Sequence, residues 1–78
     1  MLCMTTNDGE TFIGPDAEAL IARMRDAVWD PPATLEEYIA QVADRVEQMT
    51  GRALRMDPEN FLADLQAVGL ARIRPVDA

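Results

Sequence analysis

The sequence predicts a mostly helical α+β fold: an N-terminal β-hairpin, three helices and a short C-terminal strand. Three observations lead there. Asn7-Asp8-Gly9 separates two short runs rich in apolar residues and threonine, as a hairpin turn does. From residue 15 to residue 68 apolar residues recur at spacings of three and four, the period of helices with one buried face. Beyond Gly69 the period falls to two, that of a half-buried strand.

The hairpin occupies residues 1 to 14, with Leu2-Cys3-Met4-Thr5 and Thr11-Phe12-Ile13 as its arms; a chain starting at Met4 would have a shorter first arm. Helix one is expected over about 15 to 29. Pro15 suits the first helical position, and Asp16 and Glu18 suit the positive end of the helix dipole. Ala17, Leu20, Ile21, Met24, Ala27 and Val28 supply its apolar stripe. Asp30-Pro31-Pro32 stops it.

Helix two, about 34 to 50, opens on Thr34-Leu35-Glu36-Glu37. This is a capping box, in which the Thr34 hydroxyl accepts an N–H three residues on and Glu37 reaches back. Leu35, Ile39, Val42, Val46 and Met49 form its stripe, Tyr38 and Ala43 widen it, and Gly51 gives a left-handed stop. The spacing is also that of a heptad seam, but two heptads are too few for a coiled coil. Residues 52 to 56 read as a short extended connection. Helix three, about 58 to 68, has Asp57 as N-cap and Pro58 in its first turn, buries Phe61, Leu62, Leu65 and Val68, and ends at Gly69. The strand covers about 70 to 74, with Ala71 and Ile73 inward and Arg72 and Arg74 outward. Pairing it with the hairpin would cover open edges. Residues 76 to 78 read as a loose tail.

Seventy-eight residues make room for one domain, and a chain this short buries only about 60% of its unfolded surface. A single cysteine, Cys3, forms no internal disulfide, and no histidine is present to join it in a zinc site. The core must therefore come from packing, and a second copy of the chain would reinforce it. An unpaired thiol favours a reducing, cytoplasmic setting. There is neither a membrane-spanning apolar run nor a basic region followed by an apolar stretch at the N-terminus.

Net charge is −7, and its distribution is uneven. Residues 1 to 51 carry ten acids against three arginines, while residues 52 to 78 carry four of each. Such a field repels phosphate backbones, which disfavours direct nucleic-acid binding, and it attracts basic protein surfaces. Solubility alone would also account for the acids.

Serine, histidine and lysine are absent, which removes serine–histidine and cysteine–histidine nucleophile pairs, Schiff-base lysines and histidine metal ligands. Glu36-Glu37 and Asp16 with Glu18 are paired carboxylates, but each pair sits in a first helical turn where dipole and capping explain it. Asn7-Asp8-Gly9-Glu10 lacks the alternating spacing and distal glutamate of a calcium loop. Cys3 lies in an apolar run with nothing nearby to activate it. No enzyme activity, cofactor or metal is therefore expected.

Residues 57 to 74, a helix with Phe61, Leu62 and Leu65 closing at Val68-Gly69-Leu70 before an Arg-bearing strand, resemble the recognition helix and first wing strand of winged-helix proteins. The resemblance covers about 18 residues and would imply DNA binding. The helix departs from that pattern, carrying Asp57, Glu59 and Asp64 and no basic residue.

The expectation is a non-catalytic regulator or accessory subunit that binds another protein with a basic surface. Trp29 and Tyr38 are its candidate anchors, since buried aromatics dominate interface energetics. Both rings could instead cap the core between helices one and two. In a sharper version the carboxylates of Asp26, Asp30, Glu36, Glu37, Asp44 and Glu47 imitate a phosphate track and inhibit a DNA- or RNA-binding machine; in size and charge alone the chain resembles phage-encoded inhibitors such as anti-CRISPR proteins.

Overall fold

A computed structural model describes residues 1 to 76. In chain order the elements are β1 (Leu2–Thr6), β2 (Thr11–Gly14), α1 (Ala17–Asp26), α2 (Leu35–Thr50), α3 (Pro58–Ala67) and β3 (Ala71–Pro75). This is the predicted α+β architecture, and the C-terminal strand does pair with the hairpin. The sheet order is β2-β1-β3, antiparallel throughout, so the first strand lies in the middle. The expected tail at residues 77 and 78 lies outside the described residues. Val76 is tied in, its N–H donating to the Met1 carbonyl at 2.9 Å.

The hairpin closes through a three-residue loop. Gly9 N–H returns to the Thr6 carbonyl at 3.0 Å, and Thr6 N–H reaches the Glu10 carbonyl at 2.8 Å. Gly9 takes a φ of 93°, the left-handed position that ends a turn of this length. The Thr6 hydroxyl bonds the Asp8 carboxylate across the loop.

Helix α1 is shorter at both ends than its sequence pattern suggests. Asp16, not Pro15, stands at the boundary: its backbone is extended and its carboxylate accepts the Ala19 N–H at 2.8 Å, which puts Pro15 outside the helix. At the other end Ala27 N–H reaches back three residues to Met24 and Val28 N–H reaches Arg25, a tightened last turn that does not continue. Asp30 precedes proline, is sterically discouraged from the helical region and adopts a φ of 54°. Trp29 is left in the connection between α1 and α2.

The ends of α2 and α3 form where their sequences place them, but of the expected capping box only one half is made, since among the described residues Glu37 does not accept from the Thr34 N–H. Thr34 Oγ1 accepts the Glu37 N–H at 3.1 Å, the forward half of the capping box, and Gly51 closes α2 in the left-handed region. Asp57 caps α3 by accepting the Asn60 N–H. Beyond α3, Leu70 N–H bonds the Leu65 carbonyl and Gly69 N–H the Gln66 carbonyl, both at 3.0 Å, the paired bonds of a Schellman stop.

One face of the sheet carries the core. Met4 from β1 joins Leu20 and Ile21 of α1, Ile39 of α2 and Phe61 of α3, all at 2% exposure or less. Phe12 and Ile73 pack against this cluster from the neighbouring strands. A side chain at Gly14 would put its Cβ 3.2 Å from the Ala19 Cβ and the Leu20 nitrogen, so β2 meets α1 closely enough that a larger residue would have to push its neighbours by a few tenths of an ångström. Between α2 and α3, Leu54 enters the core, and Asp64 of α3 holds the adjoining residue, accepting from Arg55 Nε, Nη2 and backbone N–H at 2.9 to 3.1 Å.

Three stability measurements follow. Phe61→Ala empties the middle of a single small core and should cost about 3 to 5 kcal/mol. That loss rivals the roughly 5 kcal/mol expected for a domain of this size, so urea unfolding should find the variant largely unfolded. Thr34→Ala should cost about 1 kcal/mol through loss of the cap. The Arg55 guanidinium holds the Asp64 carboxyl below its ordinary value. A depressed folded pKa gives stability that is complete above the unfolded value, about 4, and lost as pH falls through the folded one. Asp64→Asn should lower stability at neutral pH and flatten that acid-side decline.

Candidate functional site

The two aromatic candidates have different environments. Tyr38, near the start of α2, is 7% exposed and belongs to the core cluster. Burial raises its phenol pKa above the ordinary value, with Arg45 opposing the rise and Glu10 adding to it. Trp29 is 97% exposed. The kinked end of α1 and the left-handed turn at Asp30 leave its indole in water, outside the core.

Beside this connection the hairpin loop, the C-terminal end of α1 and one flank of α2 border a groove of about 390 Å³. Phe12, Met24, Val28, Tyr38, Val42 and Met49 give it an apolar lining, and Asp8, Glu10 and Arg45 supply charge. Val28 and Met49 stand in the stripes of α1 and α2 by their spacing, yet they are 39% and 67% exposed. The stripe of α2 is wider than the core it meets: Ile39, Ala43 and Val46 are buried, whereas Met49, a turn beyond Val46, reaches the groove. Helical periodicity marks an apolar face without saying whether core or cleft lies opposite, so Val28, Met49 and the charged Arg45 carried no functional signal in the sequence.

The acidic candidates separate into two groups. Asp26 and Asp30 flank Trp29 in sequence and are exposed, with Asp26 3.5 Å from the Arg25 guanidinium. Glu36, Glu37, Asp44 and Glu47 are also exposed. At 3.6 residues per turn they fall on the side of α2 turned away from Tyr38, Val42 and Met49. Gln48 donates to Asp44 at 3.0 Å on that outer side. Helix α2 thus presents one face to the core, one to the groove and a third, acidic face to solvent.

On the far side of the sheet from the helices, Cys3 is buried in register between Ile13 and Arg74. Arg72 and Arg74 share that side, whereas Ala71 and Ile73 face the core. The arginines therefore lie on the opposite side of β3 from α3, whose Gln66 bonds the β3 backbone at Ile73. Among the described residues no group of three or more histidine, cysteine or acidic side chains could hold a metal ion, and no helix is long and apolar enough to cross a membrane. Compared with protein-family models, curated proteins and solved structures, the chain gives no match.

Trp29 is the only tryptophan, so its emission reports this site directly. Fluorescence of the native protein should show a fully hydrated indole and shift little on unfolding in urea. Trp29→Ala should change stability by less than about 0.5 kcal/mol.

Proposed function

We propose that this chain is a non-catalytic regulator or accessory subunit that binds another protein through Trp29 and the adjoining apolar groove. The observation that carries the reading is a tryptophan 97% exposed near the start of the connection between α1 and α2, next to Val28, which lines an open apolar cleft. An indole contributes nothing to the fold when it stands in water, whereas it is among the strongest anchors once a partner desolvates it. Asp26 and Asp30 beside it, and the net charge of −7, favour a partner with a basic surface. Acid–base and nucleophilic catalysis have little support. Histidine, serine and lysine are missing, and Asp16, Asp57 and Asp64 have structural engagements as caps or as the Arg55 clamp.

A second reading draws on the outer face of α2. Glu36, Glu37, Asp44 and Glu47 form an exposed acidic surface that could occupy the phosphate track of a DNA- or RNA-binding machine and so inhibit it. The two readings place the partner on different faces of the same helix, and single-face variants separate them.

The test is recovery of partners from the native host with the wild-type chain as bait, followed by affinity measurements on the purified pair. Anchoring by Trp29 predicts that Trp29→Ala lowers affinity roughly tenfold or more, with thermal stability unchanged. It also predicts that affinity persists between about 50 and 200 mM salt. If reversing the four outer acids of α2 to lysine abolishes binding while Trp29→Ala leaves it intact, and binding collapses over that salt range, phosphate mimicry replaces the primary reading.

A further inference from the structure

The two outer edges of the sheet are treated differently. Thr6 N–H donates to the Glu10 carbonyl, so even-numbered residues of β1 bond toward β2, and within β2 it is Phe12 and Gly14 that face β1. The N–H and C=O groups of Thr11 and Ile13 therefore point away from the sheet. On the other side Asn7 N–H bonds the Leu70 carbonyl and Val76 N–H the Met1 carbonyl, so in β3 the outward positions are Ala71, Ile73 and Pro75.

The β3 edge is capped at two of its three outward positions, and only the Ala71 N–H has no hydrogen-bond partner among the described residues. Gln66 of α3 places Oε1 3.0 Å from the Ile73 nitrogen and accepts its N–H, and Pro75 has no N–H to offer. The β2 edge has no such cover: among the described residues the N–H groups of Thr11 and Ile13 have no hydrogen-bond partner, and the Ile13 side chain is 48% exposed. Alongside runs a shallow cleft of about 510 Å³ between β2 and α1, into which Arg23 and Asp26 bring opposite charges.

We propose that a second copy of this chain occupies the β2 edge, the two β2 strands pairing antiparallel about a two-fold axis at Phe12 into one six-stranded sheet. Self-pairing about Phe12 sets Thr11 of each copy opposite Ile13 of the other, so the outward backbone groups on both strands are satisfied at once. The same axis lays the two α1 helices antiparallel, which turns Arg23 of each copy toward Asp26 of the other. Arg23 has no ion-pair partner within its own chain among the described residues. A basic partner would meet Arg23 unfavourably and an acidic one Asp26, whereas a second copy matches both. The contact involves only four residues per strand and must overcome the repulsion of two chains at −7, so the dimer is weak and concentration-dependent. It does not involve Trp29 and shares Asp26 with the surface proposed above, so the Ile13 and Arg23 variants test it separately from that function.

Sedimentation equilibrium from micromolar to millimolar protein should show a reversible monomer–dimer equilibrium. Ile13→Pro removes an outward N–H and leaves the β1–β2 ladder intact, and it should weaken association roughly tenfold or more. Arg23→Asp should also weaken it, and combining that change with Asp26→Arg should restore it. A wild-type chain that stays monomeric over the range overturns the proposal, as does a dimer indifferent to both Ile13→Pro and Arg23→Asp. If Ile13→Pro fails to fold, amide hydrogen exchange of the wild-type chain decides: exchange at Thr11 and Ile13 should slow as concentration rises, and exchange independent of concentration overturns it.

Discussion

The structure depends on β1 lying between two partners. Leu2–Thr6 pairs with Thr11–Gly14 on one side and with Ala71–Pro75 on the other. The first pairing is local and needs only a three-residue loop. The second joins the beginning of the chain to its end, so all three helices must be accommodated before its hydrogen bonds can form, and the entropy of that closure must be offset by burial. Met4 makes the connection: on the middle strand it is fully buried in the one core cluster to which every helix contributes. The hairpin gives the helices a surface to pack on, and the packed helices bring β3 back to β1.

The charge distribution follows from the same arrangement. Helices cover one side of the sheet and carry most of the acids on their outer surfaces, whereas Arg72 and Arg74 emerge on the uncovered side. The molecule therefore has unlike faces, and its net charge alone poorly describes what an approaching partner meets. Helix α2 concentrates this division, since its sixteen residues serve the core, the groove and an acidic surface from three sides.

Much of the fold was legible in the sequence because its signals are local and chemical. Thr34, Asp57, Gly51 and Gly69 each perform the cap or stop that their residue type implies, and Phe61, Leu62 and Leu65 are buried as their spacing requires. Asp16 suits the start of α1 by residue type, but Pro15, equally suited to a first helical position, masks the fact that the aspartate itself is the cap. The candidate site was less legible. Whether an aromatic residue beside a Pro-Pro turn covers the core or stands clear of it depends on where the helix before it ends, and a one-turn difference in α1 separates a packed Trp29 from an exposed one. The groove is a relation among segments distant in sequence, from the hairpin to the start of β3, and no periodicity within one of them reveals it. The clamp between Arg55 and Asp64 is likewise a tertiary contact, invisible in either residue alone.

The bond from Val76 to Met1 puts the two ends of the described chain side by side on adjacent strands. Chain order and spatial order are therefore separable in this molecule. A short linker could join the ends without disturbing the sheet, and the Pro31-Pro32-Ala33 segment, outside every helix and strand, offers a place to open the chain anew. In such a permuted chain β3 would precede β1 directly, and the most distant pairing of the natural order would become its most local one.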